Sequence, residues 1–121
     1  MIETAVHPTN IQTLAKQLKL LANPKRLQII HLLMEGVQCN CVLGDALDMP
    51  ANLISHHLGL LRDAGLVNVE RDAVDGRWLY YSINEPAMSA ISVAFGAFFD
   101  LARIKPRQQV CGPVEMVGER P

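Results

Sequence analysis

Apolar positions recur at helical spacing four times along the first half of the chain. Ile11, Leu14, Ala15, Leu18, Leu21 and Ala22 share one side of a first helix, with Lys16, Gln17 and Lys19 opposite and Thr9 or Asn10 as its cap. Asn23-Pro24, a cap followed by proline at a first helical position, opens a second helix that stops at Glu35-Gly36. That helix carries Leu27, Ile30, Leu33 and Met34, and Ile29 and Leu32 besides, so it is expected to be central and buried. A third helix, capped by Asn40, presents Val42, Leu43, Ala46 and Leu47. After a tight break at Asp48-Met49-Pro50, a fourth runs from about Pro50 to Ala64 with Leu53, Ile54, His57, Leu58 and Leu61 inward. Gly65 suits the position just past its end.

The period then changes. Val67 to Arg71 alternates as a strand, and Trp78 to Ile83 is a second, aromatic one. The Asp75-Gly76 turn signal between them makes the pair a β-hairpin. Asn84-Glu85-Pro86 starts a last helix with Ile91, Ala94, Phe95, Phe98, Leu101 and Ala102 on its apolar side, ending near Lys105-Pro106. The expected fold is mainly α with one hairpin, in the order ααααββα. Two helices joined by so short a turn cross steeply as a helix-turn-helix. Followed by a hairpin, they form a winged helix whose second helix enters the DNA major groove. Residues 1–106 form the domain, and residues 107–121 a flexible tail that carries Cys111.

Composition narrows the setting. Half of the 121 residues are hydrophobic, which supplies one core for one domain. No apolar run reaches the roughly 18 residues of a membrane span. The N-terminus lacks the regions of a signal peptide, so a cytoplasmic protein is expected, with no membrane partner. There, three cysteines are free thiols, ligands or redox sensors before they are disulfides. A net charge of −1 counts mildly against a purely electrostatic DNA binder.

Asn23-Pro24-Lys25-Arg26-Leu27, Cys39-Asn40-Cys41, Ile54-Ser55-His56-His57-Leu58, the run Leu61 to Val67, and Gly76-Arg77 before a Tyr-rich strand occur in one order and spacing. In these features the chain resembles the arsenic-repressor (ArsR/SmtB) family of small metal-sensing repressors, over about residues 11 to 104. The resemblance implies a winged-helix homodimer, held by its first and last helices, that represses an operon until a toxic ion releases it. Two departures matter. Arsenic repressors of the best-known kind look like Cys-x-Cys-x-x-Cys, and Gly44 stands where the third cysteine would be. The zinc-sensing branch places Asp and His ligands on the last helix, and Asn84 to Ile104 holds neither His nor Cys.

The expected metal ligands are Cys39, Cys41 and Cys111. Residues two apart on a regular helix point to nearly opposite sides, so the first two face one ion only if the helix begins between them or its first turn unwinds. Three thiolates complete the shell of As(III), the expected inducer, or of Sb(III). Cd(II) and Pb(II) are alternatives that often take a fourth ligand. The bland readings are small buried cysteines and a tail thiol with no role. His7 is a lone terminal histidine that is usually nothing, and His31 is expected to pack within the second helix. Disulfide formation under oxidative stress is a rival signal. A small thiol oxidoreductase or metal-storage protein is a rival class, disfavoured because no βαβ pattern surrounds the pair.

Ala51, Asn52, Ser55 and His56, off the buried stripe of the fourth helix, are expected to meet DNA, with His57 packed or locally hydrogen-bonded. Arg77 at the wing, Arg71 and Arg62 should reach phosphates or the minor groove, and Lys25 and Arg26 add candidate phosphate contacts. The bland reading of this face is a solvated polar surface. Leu14, Leu18, Leu21, Ile91, Phe95 and Phe98 are the candidates for the homodimer contact, against an intrachain core. A two-fold dimer would take an inverted-repeat operator.

Overall fold

A computed structural model describes residues 10–107 of the chain. The elements are α1 (Asn10–Leu21), α2 (Pro24–Leu33), β1 (Gln38–Cys39), α3 (Asn40–Ala46), α4 (Ala51–Asp63), β2 (Val67–Arg71), β3 (Leu79–Ile83) and α5 (Glu85–Phe98). A short 3-10 turn, Leu101–Arg103, follows. This is the expected winged helix-turn-helix with one addition. The two-residue strand β1 pairs antiparallel with β3, so the sheet has three strands in the order β1-β3-β2. In the hairpin, Val67 stands opposite Ile83 and Arg71 opposite Leu79.

The caps explain most of the boundaries. Asn23 accepts from the backbone N–H of Lys25 at 2.9 Å and of Arg26 at 3.2 Å, which satisfies two orphan donors at the start of α2. Pro50 is the residue before α4 rather than its first helical residue, and its extended backbone turns the chain into the helix. The tight turn depends on Asp48, whose φ of 51° lies in the left-handed region that aspartate tolerates. There the Met49 N–H returns to the Gly44 carbonyl at 2.9 Å and closes α3. Gly65, at φ 80°, closes α4 in the same way. Asn84 then ties the end of α4 to the start of α5, donating from Nδ2 to the Gly65 carbonyl at 2.8 Å.

Ile29, Leu33, Leu43, Ile54, Leu58, Leu61, Leu66, Val67 and Ile91 form one buried cluster that joins α2, α3, α4, the hairpin and α5. Several sequence expectations are corrected here. The second helix is central but not buried all round, because Leu27 is 51% exposed and Met34 and His31 also face outward. Leu53 sits on the outer edge of α4, 36% exposed, while Ile54 beside it is buried. Val42 and Ile11 are likewise exposed. The last helix ends at Phe98, well before Lys105. Asp100 turns extended there and its carboxylate accepts from Ala102 N–H at 3.0 Å, starting the 3-10 turn in place of further α-helix. Thr9, His7, Cys111 and the tail beyond Arg107 lie outside the described residues.

Candidate thiol site and nucleic-acid interface

The third helix begins between the two cysteines. Cys39, in extended backbone, is its cap, and Asn40, expected as the cap, is its first helical residue. The half-turn between strand and helix brings both thiols to the same side, with the sulfur atoms 3.0 Å apart. Cys39 also donates to Asn40 Oδ1 at 3.3 Å, so the Cys41 thiol is left to donate to Cys39. Burial pushes Cys39 upward, but hydrogen bonds from Cys41 Sγ and from the backbone N–H groups of Cys41 and Val42 hold it below the ordinary thiol value. Cys41 moves the other way, raised by its hydrogen bond to Cys39, by desolvation and by the Cys39 charge. The two thiols titrate as a pair, the first proton leaving more readily than the second. Among the described residues, no three His, Cys, Asp or Glu side chains gather where they could hold a metal ion.

The pair is fastened to both elements that would read DNA. Cys39 lies in β1, opposite Tyr80 of the wing strand β3. Cys41 is in α3, which packs on α4. Tyr80 is raised by burial and by the charges of Asp72, Cys39 and Cys41, which places its hydroxyl in the same electrostatic neighbourhood. Sequence reasoning missed this link, since a two-residue strand has no periodicity to detect. Gly44, the gap in the cysteine pattern, lies where α3 approaches the turn. A Cβ there would stand 3.3 Å from the Met49 carbonyl oxygen and 4.0 Å from Ile54 Cγ2.

On α4, Ile54, His57, Leu58 and Leu61 are buried, whereas Ala51, Asn52, Ser55, His56 and Arg62 are exposed along one outer strip. The structure thus brings together the helix residues expected to meet DNA. Gly59 continues that strip with open space around its missing side chain.

His57 has a different role. It is 7% exposed, and Arg26 Nη1 donates to its Nδ1 at 3.2 Å. A guanidinium can only donate, so the ring is neutral at Nδ1 and carries its proton on Nε2. Arg26 Nε meanwhile donates to the Leu20 carbonyl at 2.7 Å. Arg26 is therefore a strut between α1 and α4 rather than the phosphate contact its position suggested, and Lys25 remains exposed. Burial, then the charges of Arg26, His56 and Lys25, lower His57 from the ordinary 6.5. Between that lowered value and 6.5 the unfolded chain binds more protons than the folded one, so stability rises with pH across this window and is lost as acid is added. Denaturant midpoints measured from about pH 7.5 down to about pH 5 should fall for the parent, and less steeply for His57→Gln, which keeps an acceptor but does not titrate. Equal slopes would exclude His57 as the source.

The wing arginines are engaged within the wing. Arg77 grips Asp75 with Nε at 3.0 Å and Nη2 at 2.7 Å, and Arg71 donates to the Gly76 carbonyl. Asp72 accepts from the N–H groups of Val74 and Asp75, so both aspartates shape the turn. The hydrogen bonds from Arg77 hold the Asp75 carboxyl below its usual range. The Arg77 side chain is 85% exposed, so this ion pair is well screened and can be exchanged for a phosphate. Arg62 pairs with Asp63 at 3.2 Å, also at the surface.

The residues expected at a dimer contact divide. Leu14 and Ile91 are buried within the single chain. Leu21 and Phe95 are half-buried and pack against its core. Phe98, half-buried, meets Phe99 edge-on and the Arg103 guanidinium, while Leu18, Phe99, Leu101 and Ile104 are exposed. No helix among the described residues is long and apolar enough to cross a membrane.

Comparison with known proteins bears on this arrangement. Residues 23–69, from the cap of α2 through β2, match the model of the bacterial regulatory proteins of the arsR family. The chain is 37% identical over 78 residues to an uncharacterized HTH-type transcriptional regulator of Methanocaldococcus jannaschii, covering 64% of this chain and 84% of that one. It is 32% identical over 77 residues to the arsenical resistance operon repressor of Bacillus subtilis, covering 63% and 70%. A crystal structure of a possible transcriptional regulator for arsenical resistance superposes with a TM-score of 0.62 at 31% identity, over 72% of this chain and 90% of that one. With its helix-turn-helix and wing in that family's order, the chain is a DNA-binding transcriptional regulator, not an enzyme, and belongs to the arsR family of bacterial regulatory proteins.

Proposed function

We propose that this regulator is a cytoplasmic repressor that binds an inverted-repeat operator as a two-fold dimer and lets go when its thiols capture As(III) or Sb(III). The observation that carries the reading is the Cys39–Cys41 pair, 3.0 Å apart, set between the wing sheet and the helix that packs on α4. Cys111 supplies the third thiolate. The name of the Bacillus subtilis relative, an arsenical resistance operon repressor, supports the same choice of ion. Cadmium or lead would often ask for a fourth donor beyond these three thiolates. Capture works through position. Drawing Cys39 and Cys41 onto one centre pulls on β1 and on the first turn of α3, and so shifts the wing and α4 relative to each other. The test is fluorescence anisotropy of the reduced protein on its own promoter DNA, titrated with arsenite. Release near one equivalent is expected. Tight binding that ignores arsenite would keep the repressor and discard the ion.

Ala51, Asn52, Ser55 and His56 meet base edges in the major groove, with Arg62, Arg71 and Arg77 on phosphates. Ser55→Ala/His56→Ala should weaken operator binding by about tenfold or more in the same assay, since a good base contact contributes ~1–3 kcal/mol. Parent-like affinity would remove α4 as the reading helix. The dimer forms through the outer surfaces of α1 and α5, with Leu18 and Phe98 at the contact and the inner residues Leu14, Leu21, Ile91 and Phe95 supporting them. This places half-sites about 34 Å apart.

The sulfur contact also favours a second reading, oxidation of the pair to a disulfide. Release by oxidant without arsenite, reversed by reductant, would select it.

A further inference from the structure

Beside Cys41 the surface is hollow. A groove of about 260 Å³ opens between α3 and α4, lined by Cys41 and Gly44 with the polar Asn40 and Asp45 from α3, by Met49 from the turn, and by Ala51, Ile54 and Ser55 from α4. Met49 and Ile54 are buried apolar side chains, and Gly44 contributes no side chain to fill the space. We propose that this groove seats the organic substituent of a monosubstituted arsenic(III) compound held by Cys39 and Cys41, with an aryl group preferred to a methyl group. The inference rests on the thiol pair being the inducer site and names a ligand class for it.

Three-coordinate arsenic needs three bonds. With two thiolates at hand and the third position of the pattern occupied by Gly44, a carbon already bonded to arsenic completes the shell without Cys111. The reaction is a ligand exchange with no change of oxidation state. The hydrated reagent R–As(OH)2 loses two As–O bonds and gains two As–S bonds, and the two thiol protons leave with the hydroxides as two waters. The substituent then lies against Met49 and Ile54, where burial of apolar surface favours the larger ring. It also lies beside Ala51 and Ser55, on the exposed strip of α4, so the occupied groove competes directly with DNA.

The test uses full-length Cys111→Ser protein, which keeps only Cys39 and Cys41, titrated by calorimetry with phenylarsine oxide and with methylarsonous acid. A Cys-Asn-Cys peptide titrated with both reagents supplies the intrinsic thiol preference. One phenylarsine oxide per chain is expected, with a phenyl-over-methyl preference exceeding that of the peptide by about tenfold or more, as burial of an aromatic ring implies. Phenylarsine oxide should also release operator DNA from this variant. Gly44→Ala, which narrows the groove, should lower the excess preference, with unchanged circular dichroism as the check on folding. A preference equal to that of the peptide would overturn the groove while leaving the thiol pair intact. Binding that requires Cys111 would overturn the two-thiol site. If Cys39→Ser/Cys41→Ser protein binds both reagents and arsenite as the parent does, the thiol-pair reading itself fails.

Discussion

Cys41→Ser protein will bind operator DNA as tightly as the parent and will not let go when arsenite is added. The Cys41 side chain is exposed and takes no part in the buried cluster, so an oxygen in place of sulfur leaves α3, α4 and the wing where they are. What changes is the donor. A serine hydroxyl does not ionise near neutral pH and is a hard ligand, while As(III) takes soft thiolates. In the parent, arsenite should weaken operator binding by about 5- to 150-fold, the usual range of an allosteric coupling. In Cys41→Ser, and in Cys39→Ser, that ratio should collapse to about one. Anisotropy titrations of the three proteins on one operator fragment, with and without arsenite, read it directly. A Cys41→Ser protein still released by arsenite would put the inducer site elsewhere.

Leu58→Ala should cost the fold about 2–5 kcal/mol, a large share of the ~5–15 kcal/mol that holds a domain together. Leu58 is fully buried, in the cluster that α4 shares with the other elements. Truncation removes its transfer free energy and leaves a cavity among neighbours fixed by their own helices. Leu53, on the outer edge of the same helix, is the control, and Leu53→Ala should lose less than about 1 kcal/mol, since its side chain is already partly in water. Urea unfolding of both variants decides the matter, through midpoint shifts at constant slope. Similar losses for the two would mean that α4 is seated differently. Leu58→Ala should also lose DNA binding on warming before the parent does, because the reading helix is held only by this face.

The elements themselves were legible because their signals are local. Asn23-Pro24 announces a helix by cap chemistry, Asp75-Gly76 announces a hairpin, and the spacing of Ile54, His57, Leu58 and Leu61 selects the inner face of α4. The same spacing selected the outer strip of Ala51, Asn52, Ser55 and His56. Periodicity failed where apolar residues outnumber the positions a small core can bury. Leu27, Met34, Val42 and Leu53 fit a helical stripe, yet only packing decides which side of a mostly apolar helix meets the core. It failed also at Phe98, where Asp100 restarts the chain as a 3-10 turn although the apolar pattern runs on.

The sequence by itself determined the order of the five main helices and the hairpin, the winged helix-turn-helix, and the candidacy of Cys39 and Cys41, because caps, turns and periods are properties of neighbouring residues. Tertiary structure alone decided that Cys39 caps α3 from within a strand, so that two thiols two residues apart meet on one side. It alone decided that Tyr80 stands opposite Cys39, that Arg26 holds His57 instead of facing outward, and that Gly44 leaves a groove between α3 and α4. These depend on segments distant in the chain being brought to within a few ångströms. That proximity comes from burying Leu43, Leu58 and Leu61 together, and no local pattern records it.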